Sequence, residues 1–350
     1  MWRTATACVA LAVAAALPSS AGAVISSLAI QPNARSAGLA DCTMAVLEDA
    51  TAASWNPGGL AFVPDRLGLS AVYTQLLPDT DEDIYLVHAA GALRVTPEVA
   101  VGGTVHYLSY GEFTVVDQHG TESVDAYEFA PSLACAVAVG NIVGVGLNVK
   151  HLHIEWPCFG YAADDGTDCD GSAFGVDAGA EARLLFGARE FDTLVRLAGA
   201  VRNLGPDVEF GDADMNSPLP RTASIGGSGR VSYRDAGHVL VCAQYDRKLV
   251  DDWAPNDRGR LAVGFELGAS VVGVLGLAGS SGPEGVRDHV ALRLGYENDM
   301  DYEEDGISFG LGGGVEWDER FQVRLDLANV PMPNDFTRPW RIQGSLSAQF

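Results

Sequence analysis

The sequence predicts an all-β protein: a transmembrane antiparallel β-barrel of about 14 strands with a short N-terminal helical plug in its lumen. Three observations carry this prediction. An export signal opens the chain, with Arg3, an uncharged Ala/Val/Leu run over 5–17, Pro18 and the small-residue site Ala21-Gly22-Ala23. Past that signal no apolar run approaches the roughly 18 residues a membrane helix needs, although hydrophobic residues make up 47% of the chain and glycine 41 of its 350 positions. Segment after segment instead alternates apolar and polar residues at a period of two, as strands between lipid and a lumen do. The organisation expected is a signal peptide over 1–23, a plug segment over 24–66 and a barrel over 67–350, placing the protein in a bacterial outer membrane with lipid as its surround.

The C-terminal strand sets the rule. Trp340, Ile342, Leu346, Ala348 and Phe350 share one face, and Arg341, Gln343, Ser345, Ser347 and Gln349 the other. Phe321, Val323, Leu325 and Leu327 repeat it against Gln322, Arg324 and Asp326, and Ile307, Phe309, Leu311, Val315 and Trp317 repeat it again. Further strands are expected over 67–77, 83–94, 98–110, 123–139, 142–155, 172–186, 191–204, 220–232, 237–247, 259–267 and 290–297. An even count puts both ends of the barrel in the periplasm, with tight turns on that side. The other seven connections hold 24 acidic residues against Lys248, Arg258 and Arg338, so nearly the whole net charge of −24 falls on one rim. A chain this acidic lacks the basic patch that nucleic acid requires. The apolar segment 271–278 does not fit the count and is read as an extended hairpin arm or a strand continuation.

Inward parity assigns Asp177, Glu181, Arg183, Arg196, Arg202, Arg293, Arg324 and Asp326 to the lumen. The plug proper runs over 34–62. Asp41 or Thr43 can cap a helix whose apolar side is Met44, Val46 and Leu47, ended by Asn56-Pro57-Gly58-Gly59. A helix that short is marginal alone and needs the wall to stay folded. Arg35, Glu48, Asp49 and Asn56 are expected to bond to lumen side chains, with Trp55 and Pro57 completing the segment, either as a gate or as a permanent stopper.

Other candidate sites are weaker. Cys158 and Cys169 flank ten residues of one loop, which suits a disulfide in an oxidising compartment. Asp164, Asp168 and Asp170 in that loop give the alternating carboxylates of a calcium site, but the distal bidentate Glu is lacking, so a solvated acidic loop is the alternative and no other cofactor is indicated. Cys42, Cys135 and Cys242 are read as buried or isolated thiols, and His151, His153 and Glu155 as a polar rim rather than a ligand set. Trp156, Trp253, Trp317 and Trp340 fall near strand ends, as interfacial girdles do. No nucleophile elbow, His-Glu-x-x-His helix or phosphate loop is present, so no enzyme is expected.

Several motifs carry a resemblance. They are Arg35-Ser36-Ala37-Gly38-Leu39, Leu47-Glu48-Asp49-Ala50-Thr51-Ala52, Trp55-Asn56-Pro57-Gly58-Gly59-Leu60, Gly264-Phe265-Glu266, Leu292-Arg293-Leu294-Gly295-Tyr296, the run from Gly306 to Gly312, Asp326-Leu327-Ala328 and the terminal Phe350. In order, they resemble the PorV/PorQ group within the FadL-like superfamily of outer-membrane barrels. The chain departs from the group at Leu39-Ala40-Asp41-Cys42 and at Gly58. The resemblance implies fourteen strands, an N-terminal segment in the lumen, and Phe350 read by the outer-membrane assembly machinery. It also implies one of two roles: uptake of small hydrophobic molecules, or an accessory part in type IX secretion of exported proteins.

Overall fold

A computed structural model describes residues 27–63, 66–76, 84–117, 120–156, 170–188, 190–210, 216–234, 236–250, 259–277, 286–300, 304–318, 320–329 and 340–348. Fourteen strands form one antiparallel ring. They are β1 (Leu67–Gln75), β2 (Ile84–Arg94), β3 (Val99–Asp117), β4 (Gly120–Val139), β5 (Val143–Glu155), β6 (Gly171–Ala188), β7 (Phe191–Leu204), β8 (Thr222–Tyr233), β9 (Gly237–Lys248), β10 (Arg260–Ala269), β11 (Val286–Asp299), β12 (Glu304–Trp317), β13 (Phe321–Asn329) and β14 (Trp340–Ala348). Each pairs with its neighbours in sequence, and β1 pairs with β14 from Leu67↔Ala348 to Thr74↔Arg341, which closes the sheet. A two-residue strand, Glu209–Phe210, adds to the loop end of β6.

Closure leaves no edge, and the alternation then separates two environments. Outward on β11 stand Leu292 and Leu294, while Arg293 between them is buried at 4% exposure. Val145, Leu147 and Val149 face out on β5, with Asn148 and Lys150 buried on its other face. Apolar outside and ionic inside inverts a water-soluble fold and matches a wall set in lipid. Tyr73, Tyr85, Tyr107 and Tyr127 form an outer band across β1 to β4, with ring centroids 5.8, 6.3 and 5.6 Å apart, and His153 extends it at 6.2 Å. Such a band marks a lipid–water boundary. His151, His153 and Glu155 share the outward parity of Val149.

Two expectations about the chain's course are corrected. The stretch over 111–124 is not a loop, because β3 and β4 run on as a hairpin of 19- and 20-residue strands. Membrane crossing takes about 9–11 residues, so this hairpin stands beyond the bilayer at the loop end. The segment 271–278 is neither arm nor strand but holds a helix, α3 (Val271–Leu277), numbered after the two helices described below. Asp288 accepts hydrogen bonds from the Val271 and Val272 amides at 2.9 Å each, and Ser270 Oγ accepts from the Gly273 amide at 2.8 Å. Those caps satisfy the amides that would otherwise be orphaned at a helix start, which lets an apolar run between two strands coil.

Candidate functional site: the plug and its seat

The plug is not one helix but two single turns, α1 (Ala34–Ala37) and α2 (Ala52–Trp55), with 3-10 turns at Ser27–Ala29 and Gly59–Phe62. Asn33 caps α1 through its side-chain oxygen, which accepts from the Ser36 amide at 2.9 Å. Ala40 and Asp41 then adopt φ of 56° and 53°, which breaks the helix that Met44, Val46 and Leu47 suggested. The wall takes up the freed amides. Gln244 accepts from the Thr43 and Met44 amides at 2.6 and 2.8 Å, Ser308 from Ala40 at 2.8 Å, and Gln343 from Ala34 at 2.8 Å. A segment too short to hold itself helical is thus held by fixed side chains on the inner faces of three different strands.

Ionic contacts fasten it further. Arg35 makes a two-point contact with Glu266, Nε to Oε2 at 2.9 Å and Nη2 to Oε1 at 2.7 Å, and bonds Glu48 through Nη1 at 2.9 Å. Glu266 also accepts from Arg293 Nε at 2.6 Å and lies 2.9 Å from His238 Nε2, and Arg293 reaches Asp326 at 2.7 Å. Glu48 is bound by Arg196 as well, and by Arg230 at 3.2 Å. Burial opposes the charge on Glu48, yet Arg196, Arg230, Arg35 and Arg183 together hold its carboxyl well below the usual carboxylate range. For Arg35, burial likewise works against the charge, and Glu266 and Glu48 more than offset it, raising the guanidinium well above its ordinary value. Asp49 accepts from Gln343 at 2.8 Å, and Asp41 pairs with Arg341 at 3.2 Å. Trp55 lies under the Arg202 guanidinium, 3.7 Å from ring centroid to Cζ.

Asn56 bonds the plug rather than a wall side chain: its Nδ2 donates to the Met44 carbonyl at 2.9 Å, while its Oδ1 lies against Gly179 of β6. Pro57 and Gly58 lie flat on β5 and β6, where a Cβ on Gly58 would come within 2.6 Å of Ala180 Cα. At the other end of the plug, Gly38 meets Gly310 so closely that a Cβ on Gly38 would lie 2.8 Å from Gly310 Cα. Glycines at these two contacts permit backbone-to-backbone approach between plug and wall.

The family described as "Type IX secretion system protein PorV" matches residues 19–255, over half of the chain. The chain belongs to the PorV family. No curated protein sequence matches it. Among solved structures it is similar to a deltaS2 mutant of the TodX monoaromatic hydrocarbon channel (13% identity, TM-score 0.46, covering 91% of this chain and 98% of that one). It is also similar to a Pseudomonas aeruginosa FadL homologue (9%, 0.45, 94% and 100%) and to the Ralstonia pickettii toluene transporter TbuX (14%, 0.44, 92% and 98%). The family match and the closed fourteen-stranded ring agree on a β-barrel.

In this PorV-family barrel all eight predicted lumen residues lie on the inner wall. Beyond those already placed, Asp177 pairs with Lys150 at 2.8 Å and accepts from Asn148 at 2.9 Å, Glu181 binds Arg183 at 2.6 Å, and Arg324 stands 3.9 Å from Asp326. Sequence reasoning gave no plug-holding role to Glu266, Gln244, Ser308, Gln343, Arg341 or Lys150. Each has the inward parity of its strand, which was the available signal, but parity names no partner.

The remaining candidates divide by location. Cys42 and Cys242 are not isolated: both are buried in one apolar cluster with Leu39, Val46 and Leu240, whereas Cys135 is exposed on the outer face. Contact with the Cys242 thiol, then burial, pushes the Cys42 thiol well above its ordinary pKa. Cys158, Cys169, Asp164, Asp168, Phe350 and the signal segment 1–23 lie outside the described residues. Asp170 is described, 3.4 Å from the Trp156 amide. Among the described residues no His/Cys/Asp/Glu cluster suits a metal.

Beneath the plug, at the end with the tight turns, is a polar vestibule of about 690 Å³. Its lining includes Arg35, Glu48, Arg183, Arg196, Arg230 and Arg324, with α3 at one side. Between the plug and β3, β4 and β5 lies a pocket of about 20 Å³ bordered by Leu28, Trp55, His106 and Lys150.

Proposed function

We propose that this protein is a plugged outer-membrane docking barrel of type IX secretion, which holds exported proteins at its acidic outer rim and keeps its lumen shut. The observation that carries the reading is the Asp326–Arg293–Glu266–Arg35–Glu48–Arg196 chain, which runs from the wall through the plug and back to the wall. Removing one member of a buried ion pair costs about 3–5 kcal/mol, so a plug held at both ends of such a chain favours a stopper over a freely opening gate. The rim charge and family membership support an accessory role with secreted proteins as partners. Export through a cleaved signal, insertion guided by Phe350 and the outer membrane as the working site belong to the same proposal. Two measurements test it together: capture of an exported protein by the purified barrel from the membrane fraction, and flux of a small hydrophobic solute into liposomes. Capture without flux supports docking, and flux without capture overturns it.

One observation favours the uptake reading. Pairing between β4 and β5 passes from Phe129↔His153 to Ser132↔Lys150, skipping Pro131, which has no amide hydrogen to give. Thr104, Ser132 and Lys150 border both the small lumen pocket and an outer apolar recess with Leu69, Leu133 and Phe174. A hydrophobic solute passing sideways through the wall would use this weak place. Flux that falls in Pro131→Val, which restores the missing donor, would support that path.

A further inference from the structure

The vestibule under the plug holds more than a fastening. In a chain with 22 basic residues, six guanidiniums line this one cavity: Arg35, Arg183, Arg196, Arg230, Arg287 and Arg324. Four carboxylates line it, Glu48, Glu266, Asp288 and Glu316. Adding Glu181 and Asp326, which pair with lining arginines, and Arg293, which shares Asp326, gives seven guanidiniums against six carboxylates. Asp288 is further committed to the start of α3. Positive charge is therefore in excess here, within a protein whose net charge is −24.

Hydrogen-bond supply points the same way. Arg183 Nη2, Arg230 Nε and Arg324 Nε are buried nitrogens without a protein acceptor, and all three residues line the vestibule. A buried guanidinium N–H left without an acceptor is costly, and a carboxylate is the acceptor whose paired oxygens match a guanidinium edge. The plug already demonstrates the match. Glu48 enters the same cavity and is bound by Arg35, Arg196 and Arg230, the last of them one of the three.

We propose that the vestibule is a receptor for a carboxylate presented from the tight-turn end, taken up by Arg183 and Arg230 on nearby strands, with Glu48 as the built-in anion that competes for Arg230. The carboxylate can be borne by a small acid or by the C terminus of a peptide, since the recognised group is the same. The proposal does not rest on what docks at the outer rim.

Calorimetric titration of the full-length barrel in maltoside micelles tests it with three probes: glutarate, N-acetyl-trialanine, and N-acetyl-trialanine amide. Saturable binding is expected for a carboxylate probe and not for the amide; the stronger of glutarate and the peptide acid identifies the source. The double variant Arg183→Gln/Arg230→Gln should weaken binding at least about tenfold, and Glu48→Gln should tighten it by a similar factor. Arg234→Ala, outside the cavity at an exposed pair with Glu190, should leave it unchanged. No saturable binding by either acid, equal binding of acid and amide, or an affinity unmoved by the double variant overturns the proposal. If Glu48→Gln does not fold, the double variant and the amide decide.

Discussion

Removal of the Glu266 carboxylate, as Glu266→Ala, should unseat the plug while leaving the barrel folded. Glu266 is 1% exposed and accepts from Arg35 and Arg293, with His238 beside it, so its loss strands two guanidiniums that water does not reach. Breaking a buried pair from one side costs about 3–5 kcal/mol. Arg35 keeps Glu48 at 2.9 Å and Arg293 keeps Asp326 at 2.7 Å, which argues for the lower end of that range. The penalty falls on the seated state, because Arg35 leaves with the plug and regains water. About 3 kcal/mol corresponds to a rise of roughly a hundredfold in the unseated fraction. Cys42 reports that fraction. It is buried against Cys242, and its raised pKa keeps the thiolate scarce until the plug departs. Alkylation of Cys42 in the folded barrel, followed by the mass of its peptide, should therefore accelerate about a hundredfold in Glu266→Ala. A rate within about threefold of the parent, with heat-dependent gel mobility still that of a folded barrel, refutes the account of what holds the plug.

The same assay reads two further substitutions. Gly310→Leu places a side chain where even a Cβ would stand 2.9 Å from Gly38 Cα, and overpacking of about 1–3 kcal/mol should speed Cys42 alkylation at least about fivefold. Gly229→Leu, whose Cβ would meet nothing within 4 Å, should not. Arg202→Ala removes the cation over Trp55, worth up to about 2 kcal/mol when dry, and should raise the rate by up to about thirtyfold, with Arg202→Lys restoring part of the protection. The pH dependence follows from Glu48, whose folded-state pKa is depressed. Its contribution is present above the unfolded carboxylate pKa of about 4.3 and is lost as pH falls through the lower folded value. Pepsin should accordingly spare residues 34–62 near pH 4 and cleave them only in stronger acid, whereas Glu48→Gln should be cleaved at both.

The wall was legible because one period governs it. A one-residue slip would turn Arg293 and Asp326 into lipid, so alternation specified face as well as strand. Strand ends were less legible: 111–124 contains enough polar residues to read as a loop, yet Thr114, Val115 and Val116 pair with Ser123, Glu122 and Thr121. The apolar run at 271–278 was ambiguous in itself, and what decides it is Asp288, a residue on the next strand. The plug was legible as a segment and as a set of ionic contacts, but not as a shape. Its break rests on two non-glycine residues in the left-handed region, Ala40 and Asp41, which composition does not announce. Gln244, Ser308 and Gln343 looked like ordinary lumen residues. Their role comes from partners some 200 to 309 positions away, which no local pattern encodes.

Those long separations bear on how the molecule is made. The plug precedes every strand, and its anchors lie on β7, β9, β10, β12 and β14, the last of which also zips to β1. The first stretch to emerge thus has to wait for the last before its bonds can all form, a topology that slows assembly. A chain cut short of Gln343 would then lose two things together, the seam and the peg nearest to it.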